Sequence, residues 1–532
     1  MIFRKFIYSF ILLLLFTPLA YSQSLPKTKV SLKWGKEHPS TSTIWGLNVI
    51  GKDNDNFFTL DGGYIEKYDG QLTVIKRQKL EFDDKKGRRE IEALFINKRK
   101  KLFMLSSLKD KKLEINTVFV DSLDKNSLKS INGKEKIAEI SYIERDYHRS
   151  VPERIMNKKR VEGNCVFVRS EDSSKNALIL LSILDFTKHD KEKFSITVFD
   201  DDMKPLWYKS VALPYEDEFF EVSTVKISNE GDIYMIVKIY NEKSKKSDKG
   251  KPNFKYQIMR YKKALDNPEV LDVETGDKFI KKMSGTFDST GNLILNGYYS
   301  FKNEDYASGF LFMNLDTKSF SIKMQNFTKF NFIKKEQIAE MKKPKKKVEE
   351  DKDPEYPSMI LKEVIKRNDG NLLLVGESTT EAKFLDGRST RTYIYYEDIY
   401  LISINSKGEI IWSETISKHQ ITTGGGDGFM SFGLIVNDKI HFIFNDDVDN
   451  AKKNRFATKA TFDPYTGERN SALVMVSFDD NGKHSEVTLF NGKEKDTRAY
   501  PRYLFQDTPT EGILIGKLGS DKKLARIKFI GE

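Results

Sequence analysis

The sequence is poor in the residues on which most disulfide, metal and nucleophile chemistry depends. Its 532 residues include one cysteine and six histidines. A single thiol cannot form an internal disulfide, so the stability of the chain must come from core packing. Cys165 lies in a strand-like run with Val and Phe, where we expect a small buried hydrophobe. No two histidines have the i, i+4 spacing of a metalloprotease helix, so the sequence predicts no metal, no cofactor and no catalytic residue.

Beyond its N-terminus the sequence also lacks any apolar run long enough to cross a membrane. Residues Met1–Ser22 combine a basic start, an apolar run from Phe6 to Phe16 and small residues before Gln23. The run is shorter than the ~20 residues that a spanning helix needs. We therefore predict a secretory signal peptide over residues 1–22, cleaved before Gln23. The mature chain, 23–532, is then exported to the periplasm, the outer surface or the extracellular space, with no transmembrane segment.

Charge of one sign is not concentrated anywhere in the sequence. The formal net charge is +11, but acidic residues are interleaved with basic ones. The dense basic run Lys342–Lys347 is followed closely by Glu349–Asp353. Solvated lysines that keep the protein soluble explain this balance more simply than attraction to anionic glycans or lipids. We therefore predict no nucleic-acid partner.

What the sequence does contain is an alternation of polar turns and short apolar strands, clearest in Asn368–Glu414. An Asn-Asp-Gly turn precedes the aliphatic run Leu372–Val375, and a polar loop is expected after it. Ile399–Ile404 then alternates apolar with polar residues, and a tight turn at Asn405–Gly408 leads into Ile410–Trp412. Turn residues between short β-branched and aliphatic runs are typical of an antiparallel meander, and a four-stranded meander is one blade of a propeller.

Similar turn-and-strand pairs recur along the whole chain. They begin at Asp53, Asn97, Ser173, Asn229, Ser289, Asn368, Asn437 and Thr510. Stacked meanders bury their apolar faces only against neighbouring copies. The last unit, Tyr503–Ile530, supplies about three strands, and Lys29–Trp34 matches the fourth strand Glu409–Trp412. We predict an all-β fold: a single closed β-propeller of eight blades, with seven as the alternative, whose last blade is completed by an N-terminal strand that removes exposed edges.

The clearest copy resembles a known repeat. Asp369–Gly376 has the pattern D-G-N, three aliphatics and G, and Asp398–Trp412 has the pattern D-I-Y-L-I-S-I-N-x-x-G-E-I-I-W. Together they resemble the repeat of exported bacterial β-propeller proteins of uncharacterised function. The resemblance implies a closed propeller outside the cytoplasm and brings no shared catalytic residue. The unit is also similar to the repeat of quinone-dependent dehydrogenase propellers, but the adjacent cysteines that some of those enzymes carry are absent.

Insertions in the repeat supply the candidate binding residues, because function tends to lie in loops on a rigid scaffold. The insertions span 141–162, which contains His148 and Arg149, and 330–357. Asp427 lies in a glycine-rich segment that lacks any phosphate-binding spacing. Three more candidates follow a core-like strand together: Asp446, Asp447 and Asp449. They could hold Ca²⁺, but without an EF-hand glycine and terminal Glu a capped turn is the favoured interpretation.

The function expected from these features is that of a monomeric binding or scaffolding module of the cell envelope, with a protein or a cell-surface glycan as partner. Two alternatives stay open. One is a hydrolase or lyase acting on glycans or peptides with carboxylates at the central funnel. The other is a glycan-binding protein with exposed Trp or Tyr platforms. Three tryptophans, Trp34, Trp207 and Trp412, fall on strands at equivalent positions and are expected in the core. His441 lies within a predicted strand and is expected to be a structural histidine with its hydrogen bonds satisfied.

Overall fold

The chain is described here by a computed structural model. It describes residues 25–41, 47–80, 83–84, 87–110, 112–113, 115–141, 165–169, 178–183, 191–216, 219–241, 252–301, 307–330, 359–386, 389–423, 429–456, 466, 471–491, 497–518 and 520–530. Within these residues the regular structure is antiparallel strand, apart from one turn of 3-10 helix at Asn450–Lys452. None of the described helical structure has the length and apolar character needed to cross a bilayer.

The described strands form eight sheets. Two N-terminal strands, β1 (Val30–Trp34) and β2 (His38–Pro39), belong to the eighth. The first sheet holds β3 (Leu47–Asp53), β4 (Asn56–Asp61), β5 (Tyr64–Tyr68) and β6 (Val74–Lys79). The second holds β7 (Asp83–Asp84), β8 (Gly87–Ile96), β9 (Leu102–Asp110), β10 (Ile115–Leu123) and β11 (Glu135–Ser141). The third holds β12 (Cys165–Arg169), β13 (Leu178–Ile183), β14 (Lys191–Phe199) and β15 (Pro205–Glu216).

The remaining sheets follow in chain order. The fourth holds β16 (Phe220–Ile227), β17 (Ile233–Tyr240), β18 (Phe254–Tyr261) and β19 (Glu269–Val273). The fifth holds β20 (Phe279–Ile280), β21 (Ser284–Phe287), β22 (Leu293–Ser300), β23 (Gly309–Asp316) and β24 (Ser321–Lys329). The sixth holds β25 (Met359–Lys366), β26 (Leu372–Asp386), β27 (Ser389–Ile404), β28 (Ile410–Ile416) and β29 (Gln420–Thr423). The seventh holds β30 (Gly433–Val436), β31 (Ile440–Asp447), β32 (Ser471–Phe478) and β33 (His484–Asn491), and the eighth adds β34 (Arg498–Thr508), β35 (Glu511–Leu518) and β36 (Asp521–Phe529) to β1 and β2.

Meander order places two kinds of connection at opposite ends of each sheet. Turns from the first to the second strand and from the third to the fourth lie at one end, which we call the turn face. Connections from the second to the third strand and from sheet to sheet lie at the other end, the loop face. Turn-face connections are short and satisfied internally: Asp479 Oδ1, for example, accepts the N–H groups of Asn481 and Lys483, both at 2.9 Å. Gly370 supplies the left-handed backbone (φ 84°) that such a turn requires.

Alternate side chains of each central strand join its sheet to the two neighbouring sheets. Leu372 and Leu374 of β26 pack with Phe310 and Phe312 of the fifth sheet. The intervening Leu373 and Val375 pack with residues of the seventh sheet, including Phe442 and Phe444. Full burial of such a side chain contributes about 1.5–3 kcal/mol. Strands buried on both sides therefore lack a polar face, which is why these runs are continuously apolar in the sequence.

The N-terminal strand completes the eighth sheet, as predicted. β1 pairs antiparallel with β36 over a register that runs from Val30↔Phe529 to Trp34↔Ala525. Trp34 and Trp412 occupy equivalent fourth strands, but each is only partly buried at the boundary with a neighbouring sheet. The sequence predicts that the strand tryptophans are buried in the core, but they pack against the core clusters and remain partly exposed. The same holds for Trp207. Fourth strands are the outermost, so their large side chains cover the edges of the apolar clusters.

A buried group of charges joins the eighth sheet to the first. Lys522 of β36 lies 2.5 Å from Asp61 Oδ2 and 2.6 Å from Glu66 Oε2, and all three side chains are fully buried. Arg77 Nε adds a contact of 3.2 Å to Glu66 Oε1. The innermost strands of the two sheets, β3 and β34, also contact each other. A closed ring requires this contact between the first and last sheets. The number of blades stays a prediction, and the eight described sheets are the number that an eight-bladed propeller would have.

Several sequence predictions fall outside the described residues. These are the signal peptide over 1–22 and, apart from Ser141 and Phe330, the insertions over 141–162 and 330–357. The polar loop predicted after Gly376 is wrong, because β26 and β27 continue as paired strands from Thr379↔Tyr396 to Asp386↔Ser389.

The charged group between the first and eighth sheets provides a test of how the chain's ends are joined. Lys522→Met removes the lysine from two buried carboxylates, so we expect a loss of about 3–5 kcal/mol in the free energy of unfolding. Lys528→Met on the same strand is the control, because Lys528 Nζ contacts Glu511 at 3.1 Å but is 57% exposed, and its loss should not exceed about 1 kcal/mol. Urea unfolding measures both variants, and equal losses would contradict the assignment.

Candidate functional site

A two-stranded ribbon rises from the loop face of the sixth sheet. β26 and β27 are 15 and 16 residues long, whereas β22, β23, β31 and β32 in the neighbouring sheets have 8 residues each. β29 pairs with Tyr393–Tyr396 at the base of the ribbon. Beyond Ser378, no described strand pairs with the other edge of β26. Among the described residues, this edge of the ribbon therefore carries backbone donors and acceptors without a strand partner.

A bulge at the base of the ribbon aims two neighbouring side chains in opposite directions. The pairing of β26 with β27 shifts between Glu377 and Thr379. Without that shift the two side chains would lie on one side of the strand. Instead, Glu377 contacts Ser431, which leads into the seventh sheet, and Thr379 lines a cavity beside the fifth sheet.

That cavity lies between the fifth and sixth sheets and has a volume of about 550 Å³. The fifth sheet contributes residues of β20 and β22, of the segment between β20 and β21, and Ala307 before β23. The sixth sheet contributes residues of its innermost strand, β25, and of the base of the ribbon. The lining residues are Phe279, Lys281, Lys282, Tyr298, Ser300, Ala307, Met359, Ile360, Leu361, Thr379, Thr380, Glu381, Ile394 and Tyr396. This mixed lining of aliphatic, aromatic and polar groups is typical of a small-molecule site.

The wall that carries the two lysines is held in place by the fourth sheet. Tyr256 Oη donates to the carbonyl of Ile280 at 2.9 Å, and Lys238 Nζ donates to the carbonyl of Lys281 at 2.5 Å. The N–H of Met283 donates to Ser223 Oγ at 3.1 Å. Hydrogen bonds on either side of Lys282 thus fix the backbone from which its side chain extends.

Two hydroxyl groups of the lining lack hydrogen-bond partners among the described residues. They belong to Tyr298 and Thr379. Tyr298 is only 7% exposed, and burial raises the pKa of its hydroxyl, so the group stays protonated. A buried hydroxyl without a partner costs about 1–3 kcal/mol, which makes it a ready donor to any acceptor that enters.

Two lysines, Lys281 and Lys282, belong to the lining of this cavity. Burial lowers the pKa of Lys282, and Glu363 opposes this shift. Repulsion from Lys362 and Lys226 lowers the pKa of Lys282 further. Lys362 Nζ is 3.3 Å from Glu377 Oε2. Glu381, on the ribbon, is the acidic residue of the lining. The fields of several lysines therefore overlap where Lys282 meets the cavity.

On the other side of the ribbon base, charged groups are buried as a connected set. Lys418 Nζ lies 2.9 Å from Glu377 Oε1, with both side chains fully buried. Burial alone would raise the pKa of Glu377, but Lys418 and Lys362 hold it below its ordinary value. Asp398 differs, because burial raises its pKa to about 7 despite a hydrogen bond from the Lys418 N–H. Only this carboxyl of the set changes its charge near neutral pH.

The predicted binding residues of the seventh sheet lie on the loop face but are paired with other side chains. Asp446 is fully buried, with Arg455 Nη1 at 2.5 Å from Oδ2 and Asn450 Nδ2 donating to Oδ1 at 2.7 Å. Burial raises its pKa, and Arg455 opposes the rise. Asp447 Oδ1 accepts the N–H of Asp449, whose own Oδ1 accepts Lys452 Nζ, both at 2.8 Å.

The other predicted binding residues, His148, Arg149 and Asp427, lie outside the described residues. Of the described ones, Asp446, Asp447 and Asp449, none is among the lining residues of the cavity, and the role of all six residues in binding stays a prediction. In the described part of the chain, no group of three or more His, Cys, Asp or Glu is arranged to hold a metal. The structural role predicted for His441 is confirmed: it is fully buried, with Ser477 Oγ at 2.8 Å and Asn437 Oδ1 at 3.1 Å.

The raised pKa of Asp398 predicts how stability depends on pH. A carboxyl whose pKa rises from 3.8 to about 7 on folding binds more protons in the folded state, so stability falls as pH rises through that window. Asp398→Asn removes the charge while its Oδ1 still accepts the Lys418 N–H. We expect the free energy of unfolding to increase by roughly 2 kcal/mol at pH 8 and to change little at pH 4. The gain at pH 8 is smaller than the full pKa shift would give at about 1.4 kcal/mol per pKa unit.

Unfolding midpoints at pH 4, 6 and 8 measure this effect. Asp316→Asn is the opposite control, because Lys323 and nearby N–H groups lower the pKa of Asp316 to about 2, and its loss should destabilise the protein at pH 8. Wild-type and Asp398→Asn profiles that run parallel across the range would contradict the assignment.

Comparisons with known proteins concern the fold. No protein-family model and no curated protein sequence matches this chain. The WD40 domain of SCAP from fission yeast is similar at a TM-score of 0.37 and 10% identity, covering 93% of this chain and 98% of that one. A polysaccharide lyase, ulvan lyase, is similar at 0.36 and 9%, covering 81% and 90%. Semaphorin 1a from Drosophila is similar at 0.31 and 9%, covering 87% and 88%. At TM-scores of this size the likenesses carry no argument of their own. The β-propeller-type architecture of the chain rests on its eight antiparallel sheets and on the contact of the first sheet with the last.

Proposed function

We propose that this chain is an exported binding module of the cell envelope, which holds a protein partner on its loop face through the ribbon of β26 and β27. The observation that carries the proposal is the backbone edge of β26 beyond Ser378, with which no strand of the described residues pairs. An open edge can accept an extended segment of another chain as an additional strand. Main-chain hydrogen bonds then supply affinity, and neighbouring side chains supply specificity.

The stability of the ribbon supports a partner. An isolated two-stranded hairpin is marginally stable in water, and a third strand makes it stable. β29 provides that third strand only for Tyr393–Tyr396, at the base. The sequence of the tip includes Phe384 and Leu385, which is unusual for a solvated loop. A strand from a partner would complete a three-stranded sheet at the tip.

The two faces differ in what they offer a partner. Turn-face side chains such as Asp479 use their acceptors within their own turns. The loop face carries the connections of varied length, including both predicted insertions. Binding residues are commonly placed on such connections, because their sequences vary without disturbing the scaffold.

Binding is also favoured over acid–base catalysis by the ion pairs of three buried carboxylates, a group to which Asp398 does not belong. Glu377 contacts Lys418, Asp446 contacts Arg455, and Asp61 contacts Lys522. Each of these three carboxylates has a buried cation as its counterion, whereas hydrolysis of glycans needs a carboxyl that exchanges its proton with the substrate.

Removal of the ribbon tip tests the proposed binding. Ala382 and Tyr393 are paired, so replacing 383–392 with Asn-Gly should close a two-residue hairpin and retain the pairing of β29. The mature protein should recover a discrete, stoichiometric protein from its own cell envelope. The shortened variant should lose at least about tenfold of that recovery, while its thermal midpoint stays within a few degrees of wild type.

Lys263→Glu, an exposed change on the turn face, is the control and should retain the partner. Full recovery by the shortened variant, or recovery of glycan alone, would contradict the proposal.

Export has a separate test. The sequence of residues 1–22 supports it, together with the resemblance to exported propeller repeats. N-terminal sequencing of the protein from fractionated cells should find a chain that begins at Gln23 in the envelope or the medium. A chain that retains Met1 in the cytoplasm would contradict export.

A further inference from the structure

We propose that the cavity between the fifth and sixth sheets binds a small organic anion with an apolar body, such as a carboxylate carried on an aliphatic or aromatic group. This goes beyond the proposed function, because a small ligand could occupy the cavity whether or not a protein binds the ribbon tip. The described ribbon residues that line the cavity lie at its base: Thr379, Thr380, Glu381, Ile394 and Tyr396. Failure of either proposal therefore leaves the other standing.

The size and apolar lining of the cavity suit such a ligand. Its volume of about 550 Å³ lies within the range of about 300–1,000 Å³ typical of small-molecule sites. Met359, Ile360, Leu361 and Ile394 provide aliphatic surface. Ile360 remains 41% exposed although it belongs to an innermost strand. Aliphatic surface that stays exposed in a concave lining is surface that a ligand can cover.

The lysines define where the charged end of the ligand lies. Lys281 and Lys282 extend from backbone that the fourth sheet holds in place, and Lys282 is partly buried. Lys226 and Lys362 add positive potential near Lys282, while Glu363 offsets part of it. An anion beside Lys282 would relieve the repulsion among these lysines. Glu381 lies on the ribbon side, so it disfavours an anion there and orients the ligand toward the lysines.

Tyr298 and Thr379 provide the remaining recognition. Each has a buried hydroxyl without a partner among the described residues. Tyr298 Oη lies against Gly376 of β26, where a Cβ would approach it to 2.8 Å. Both residues line the cavity, and a ligand that reached the two hydroxyls would meet their unfilled hydrogen-bonding capacity.

Two probes with the same apolar body test the proposal on the mature full-length protein. 8-Anilino-1-naphthalenesulfonate carries an anionic group, and N-phenyl-1-naphthylamine lacks it. We expect the anionic probe to bind once per chain with enhanced fluorescence, at least about tenfold more tightly than the neutral one. Decanoate should displace the anionic probe. Equal affinity of the two probes, or no saturable binding of the anionic probe, would overturn the proposal.

Variants locate the probe in the cavity. Lys282→Gln should weaken the anionic probe about tenfold and leave the neutral probe unchanged, whereas Lys263→Gln, an equal charge change on the turn face, should alter neither. Thr380→Trp should fill the cavity and abolish binding of both. Tyr298→Phe should weaken the anionic probe while the thermal midpoint of the empty protein stays unchanged or rises, since no described hydrogen bond is lost. Equal effects of Lys282→Gln and Lys263→Gln would overturn the proposal, as would full binding by Thr380→Trp.

Discussion

The fold depends on joining the two ends of the chain. A central strand such as β26 is apolar on both faces, so every sheet needs a neighbour on each side, and only a ring provides that for the first and the last. β1 completes the eighth sheet, and Lys522 joins that sheet to Asp61 and Glu66 of the first. Desolvating three charges is costly, so the group contributes less to net stability than its short distances suggest. What it adds is specificity, because any other neighbour would leave a buried charge without a counterion.

The same meander order separates structural from variable parts of the sequence. Most turn-face connections reverse the chain within a few residues, which Asp, Asn and Gly favour, as at Asp479–Gly482 and Arg367–Gly370. Loop-face connections have no such restriction. The connection between β26 and β27 is extended into the ribbon, and the cavity lies beside the base of that ribbon. Both candidate sites therefore arise where the ring places least constraint on the chain.

The contrast explains what could be predicted from the sequence. Turns and strands are local, so the meander and the match of Trp34 with Trp412 could be recognised from short segments. The ribbon was missed, although Asp386-Gly387 is a strong hairpin signal between two alternating runs, because its many Thr, Lys and Arg residues indicate a solvated loop. The buried charges could not have been found locally, since Lys522 and Asp61 are 461 residues apart. The cavity combines side chains of two sheets for the same reason.

The buried carboxyls of the sixth and seventh sheets show how the neighbourhood decides what such a group can do. Glu377 has a fully buried lysine at 2.9 Å, which helps to hold its pKa below the ordinary value, whereas burial, with Glu397 beside it, raises the pKa of Asp398 to about 7 despite a hydrogen bond from a backbone N–H. Lys418 contacts both groups, so it cannot neutralise both equally. As pH rises through neutrality, the base of the ribbon therefore gains a negative charge between β27 and the segment that leads into β29. That charge belongs to β27, on the side of Lys418, whereas the edge proposed for a partner strand belongs to β26 beyond Ser378, so the titrating group and the proposed binding edge are separate features of the ribbon.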